Sequence, residues 1–112
     1  EVKGLDLSKL YTRPPSRRTQ HVESKMISAY YGIVIVLCQV KGNSLVAPYI
    51  FARCHGSEAA ISISDNQILS GDLPFTKLVM VQAWIEIHRE ELIANWENGK
   101  QTGEFFRVDP LR

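Results

Sequence analysis

Cysteine is scarce in this 112-residue chain, which holds only Cys38 and Cys54. They stand sixteen positions apart, and neither belongs to a C-x-x-C pair. His55 is the one neighbouring ligand where zinc normally needs four, so no metal site can be built here. Each cysteine sits in a stretch that reads as strand, and without a secretory signature two free buried thiols are favoured over a disulfide. Long apolar runs are also missing. The longest, Gly32 to Cys38, falls far short of the roughly 20 residues a membrane-spanning helix needs. No apolar signal-peptide core stands at the start, so the cytoplasm is the expected location. No Gly-rich phosphate loop, H-E-x-x-H or G-x-S-x-G occurs, and no cofactor is implied.

Net charge is small as well, +1 overall, too little to argue for nucleic acid by itself. Its distribution is uneven. Residues 1–28 hold six basic groups against three acidic ones, whereas the remainder holds seven against nine. A basic arm therefore precedes a mildly acidic domain. Length and apolar content are those of one ordinary globular core.

Residues 1–25, with Pro14 and Pro15 in a basic polar run, read as an arm or linker, and 26–112 as a compact domain. From Ile27 to Leu37 the chain is β-branched or aromatic almost throughout, which suits a strand covered on both faces. Tyr49 to Cys54 reads as a second strand and Ala59 to Ile63 as a third. Asp65 and Asn66 turn the chain into a short fourth at Gln67 to Leu69. Asp72 is the expected cap of a helix in which Leu78, Val81, Trp84, Ile85, His88, Leu92, Ile93 and Trp96 form one apolar stripe. Gly99 is expected to stop it. The expected class is α+β: a three- or four-stranded antiparallel meander packed against one long C-terminal helix.

Candidate chemistry rests on residues that could meet in space. Arg53, His55 and Glu58 bring a cation, a base and a carboxylate into one strand-turn-strand segment, although an exposed turn with ordinary polar residues is the simpler reading. His88 on the helical stripe is expected to donate to a backbone carbonyl. Trp84 and Trp96 are expected in the core. Arg13, Arg17, Arg18 and His21 on the arm could grip phosphates, with a solvated linker as the plainer alternative.

The segments Ile27-Ser28-Ala29-Tyr30-Tyr31-Gly32-Ile33-Val34-Ile35 and Glu58-Ala59-Ala60-Ile61-Ser62-Ile63, with Gly71-Asp72-Leu73-Pro74, resemble a prokaryotic family known as domain of unknown function 4160. So does the stretch Trp84-Ile85-Glu86-Ile87-His88-Arg89-Glu90-Glu91-Leu92-Ile93-Ala94-Asn95-Trp96-Glu97, and together these cover roughly residues 27–111. The resemblance implies a central histidine cluster, P-P-H-F-H after a D-H step. This chain has Ala47-Pro48-Tyr49-Ile50-Phe51 there, with tyrosine and phenylalanine in the histidine positions. Neither replaces an imidazole as a base or metal ligand near neutral pH. The opening Gly4-Leu5-Asp6-Leu7-Ser8-Lys9-Leu10-Tyr11 is similar to the end of a neighbouring family, domain of unknown function 2442, which would imply a fusion.

What the resemblance implies is a component of a small two-gene module, of a kind suspected to form toxin–antitoxin pairs. The resemblance therefore implies a non-catalytic interaction protein whose partner is the product of a neighbouring gene, held at a sheet edge or by the basic arm. Two other readings stay open: a small nuclease or RNA-directed enzyme using Arg53, His55 and Glu58, and an architectural nucleic-acid binder using the arm. Self-association is also left open.

Overall fold

Two hairpins with two-residue turns organise the sheet. The computed structural model describes residues 24–38 and 46–111. Strands β1 (Ser24–Tyr30), β2 (Ile33–Cys38), β3 (Tyr49–Cys54), β4 (Ser57–Ser62) and β5 (Ile68–Gly71) lie in sequence order and pair antiparallel throughout. One helix follows, α1 (Phe75–Thr102). The class is the α+β meander that the sequence predicts, with one more strand.

The extra strand comes from the run Ile27 to Leu37, which is a hairpin and not a single strand. Tyr31 and Gly32 turn the chain with φ of 49° and 78°, and His55 and Gly56 do the same with 49° and 86°. Positive φ at both central residues is the turn whose twist matches that of the flanking strands, and glycine at the second position adopts it without a steric cost. The first strand also begins at Ser24, so Ser24 and Lys25 pair with Cys38 and Leu37 rather than continuing the arm. A bulge between Met26 and Ser28 bends β1, and another between Ala60 and Ile61 interrupts β4 against β5.

Register puts Ile33, Ile35, Leu37, Ile50, Ala52, Cys54, Ala59 and Ile61 on one face, all essentially inaccessible. Val36, Phe51 and Ala60 are aligned on the other face and are buried too. Burial on both faces is what the continuous apolar runs predicted. Cys38 and Cys54 are buried in this core and are not joined in a disulfide.

Helix α1 contributes Val81, Trp84, Ile85, Leu92 and Trp96 to the core. Its tryptophans anchor it at separated points: Trp84 lies 5.6 Å from the Tyr30 ring and Trp96 lies 5.1 Å from Tyr49. Asp72 does not cap it. The helix starts behind Pro74, whose carbonyl accepts from Leu78 N–H, and no side chain caps the first turn. Gly99 does not end it either. The helix runs on to Thr102 and closes at Gly103, at φ 81°, whose N–H donates to the Gly99 carbonyl.

Gly99 instead makes room: a Cβ there would overlap the Phe105 ring, which packs against the bare backbone. From this contact the C-terminal segment runs back along α1. Asn95 holds Phe106 at both ends, donating to its carbonyl at 2.7 Å and accepting from its N–H at 2.8 Å. Val108 N–H donates to Ile27 O on β1, and Trp84 Nε1 donates to Asp109 O. The tail thus ties the helix to the first strand. Among the described residues no helix is long and apolar enough to cross a membrane.

Candidate functional site at the paired hairpin turns

A meander places alternate turns at one end of its sheet, so Tyr31-Gly32 and His55-Gly56 are neighbours. Their closeness is direct: a Cβ on Gly32 would stand 3.4 Å from His55 Nε2. Helix α1 reaches the same end, where Lys77 Nζ donates to the Tyr31 carbonyl at 2.7 Å. Tyr31 and His55 are exposed, and the Tyr31 ring meets Tyr30 edge-on at 6.4 Å.

Of the predicted trio, Arg53 and Glu58 meet. They are cross-strand partners on β3 and β4, and Arg53 Nε donates to Glu58 Oε2 at 3.0 Å. Each side chain is about one-third exposed, at 36% and 31%, so solvent screens the pair and its net worth is about 0–1 kcal/mol. His55 stands apart, in the turn and over Gly32. Arg53 Nε thus serves its own strand partner, while the His55 ring lies toward the first hairpin. Among the described residues no group of three His, Cys, Asp or Glu could hold a metal ion.

The positions where the family resemblance implied histidines are core positions here. Tyr49 is fully buried with Phe51 beside it, their rings edge-to-face at 5.5 Å. Burial, with a smaller contribution from Cys38, pushes the Tyr49 hydroxyl pKa far above its ordinary value. It stays neutral and acts as a packing element. The arm residues Arg13, Arg17, Arg18 and His21, and residues 4–11, lie outside the described residues.

A second polar constellation joins the β4–β5 turn to α1. Asn66, at φ 64°, donates from Nδ2 to Gln82 O and to Glu86 Oε2, while Gln82 Nε2 donates back to Asn66 O. Arg89 grips Glu86 with both terminal nitrogens, at 2.8 and 2.7 Å, and donates from Nε to Ile63 O. The Arg89 hydrogen bonds, then that of Asn66, hold the Glu86 carboxyl below its usual range. His88 pairs through Nδ1 with Glu91 at 3.0 Å and lies 5.4 Å from the Trp84 ring, and among the described residues it meets no backbone carbonyl. Its backbone departs from helical geometry, at φ −110° and ψ 18°, which kinks α1. Sequence reasoning placed Asn66 in its turn but foresaw neither its contacts with α1 nor those of Lys77, because single polar residues carry no periodic signal.

The strand order, the register and the single packed helix define a small antiparallel α+β domain. Within that class the chain belongs to the family Domain of unknown function (DUF4160), whose profile matches residues 32–97, from the first hairpin turn through most of α1. No curated protein and no solved structure matches the chain.

Proposed function

We propose that this chain is a non-catalytic protein-interaction component of a small prokaryotic two-gene module of the toxin–antitoxin kind. It acts in the cytoplasm, and it docks its partner along the outer edge of β5. One observation carries the reading. At the other edge of the sheet, β1 is met by the C-terminal segment through Val108. No strand of the described residues lies beyond β5.

Natural edge strands are commonly guarded by lysine, proline or a covering segment. Ile68-Leu69-Ser70-Gly71 carries no charge and no proline, and Ile68 is 42% exposed. An extended segment of a partner can add to such an edge through main-chain hydrogen bonds, with Ile68 as an apolar contact. The pairing of Arg53 with Glu58 supports binding over catalysis, since a nuclease reading would need that arginine released to a phosphate.

Co-expression with the product of the adjacent gene tests the proposal. A stoichiometric complex is expected, and Ile68→Lys with Ser70→Lys should weaken it by placing charge on the edge. A chain that stays alone beside each neighbouring product, or a complex indifferent to both substitutions, would overturn it.

A further inference from the structure

Helix α1 buries one side and leaves an apolar row in solvent on another. Val79 is 46% exposed, Ile87 66% and Phe75 77%, and Ala83, between Val79 and Ile87, is exposed as well. A four-residue step advances about 40° around a helix, so Val79 and Ile87 flank Ala83 closely on one face. Three branched or aromatic side chains at this spacing leave a smooth strip with a small residue near its centre. Nothing in the interior uses it.

The charge along the same helix is lopsided. From Phe75 to Ile85 the sole charged residue is Lys77, which is turned to the Tyr31 carbonyl. Beyond it come Glu86, Glu90, Glu91 and Glu97, against Arg89 and Lys100. The first turn holds no acidic residue and receives no side-chain cap. One end of the strip therefore lies at the positive end of the helix dipole, and the other end is acidic.

We infer that this face pairs with the same face of a second copy of the chain, antiparallel, about a two-fold axis near Ala83. In that arrangement Val79 lies against the partner's Ile87, and Ile87 against the partner's Val79. The first turn then points toward the acidic half of the partner's helix, beyond its kink at His88, and that half complements the positive end of the dipole. A parallel arrangement would instead set the acidic halves side by side. Ala83 at the crossing lets the two helices approach at about 8 Å, the near end of the ordinary packing range. One helix pair is a small interface, so the dimer forms with rising concentration and is not obligatory. This surface is separate from the β5 edge, and either can fail without the other.

Sedimentation equilibrium of the whole chain over a concentration series provides the test, together with engineered cysteines. The wild type should move from monomer to dimer as concentration rises. Ala83→Glu places like charges at the axis and should raise the dissociation constant about tenfold or more, with the circular dichroism spectrum unchanged because Ala83 is exposed. Mixed oxidation of Val79→Cys and Ile87→Cys chains should give a cross-link between the two kinds of chain. Val79→Cys alone should not link to itself, since like positions lie about 12 Å apart along the axes. Cys38 and Cys54 are buried and should stay silent. A monomer at every concentration, association unchanged by Ala83→Glu, or self-linking of Val79→Cys would each overturn the inference.

Discussion

Replacing Tyr30 with phenylalanine should stabilise this protein. The Tyr30 hydroxyl is buried and finds no hydrogen-bond partner among the described residues, while the ring packs at 5.6 Å against Trp84. Phenylalanine keeps the ring contacts and removes only the unpaired oxygen. Leaving a buried polar group unpaired costs about 1–3 kcal/mol. Tyr30 retains 8% of its exposure, so the low end of that range applies and the gain should be about 1 kcal/mol. Urea unfolding should show a higher midpoint with an unchanged slope, and the melting temperature should rise by about 4 °C.

The same substitution has a pH signature. Burial raises the pKa of Tyr30 well above its ordinary value of 10.0, and that of Tyr49 likewise, with Cys38 adding to the latter. Below pH 10 both folded and unfolded chains keep these protons, and stability is unaffected by them. Above it the unfolded chain releases protons that the folded chain retains. Stability then falls with rising pH, by up to about 1.4 kcal/mol per unit for each tyrosine. Tyr30→Phe should roughly halve that alkaline slope. A variant destabilised by 1 kcal/mol or more, with its alkaline slope unchanged, would show that the hydroxyl is satisfied and refute the reasoning.

Three further outcomes follow from the packing. Asn95→Ala should cost about 2–4 kcal/mol by stranding the Phe106 N–H and carbonyl together, and amide exchange in the C-terminal segment should rise with it. Gly99→Ala should be net destabilising by about 1–2 kcal/mol in urea titrations, because the clash with Phe105 outweighs the better helix propensity of alanine. Arg53→Ala and Glu58→Ala should each change stability by less than about 1 kcal/mol, and a double-mutant cycle should give a coupling of the same small size.

Periodicity carried most of the fold, and punctuation was where it failed. The apolar stripe is present as a helix with Val81, Trp84, Ile85, Leu92 and Trp96 inside, while Leu78, His88 and Ile93 are half-buried at its margin. Tyr31-Gly32 escaped notice because tyrosine is an unusual residue for positive φ, so the hairpin was hidden within a continuous β-branched run. Two glycines exchanged roles. Gly99 reads as a stop, yet it serves the approach of Phe105, while the actual stop is Gly103 four residues later. Asp72 reads as a cap, but Pro74 and the short link from β5 start the helix beyond its reach.

The candidate site was legible in part. Adjacent strands with a two-residue turn bring Arg53 opposite Glu58, which the spacing around Gly56 permits one to foresee. That His55 would lie over Gly32 depends on which hairpins are neighbours, and no local pattern encodes that. Asn95 and Asn66 act through backbone groups brought close only by the tertiary fold. Neither could be read from residue type alone.

The central claim, that this domain binds a partner chain rather than turning over a substrate, is tested most directly by co-purification with the product of the adjacent gene. The wild type should yield a stoichiometric complex, Ile68→Lys with Ser70→Lys should weaken it, and Ala83→Glu should leave it intact. A wild-type chain that never retains that product, while degrading RNA in a manner abolished by His55→Ala, would contradict the account.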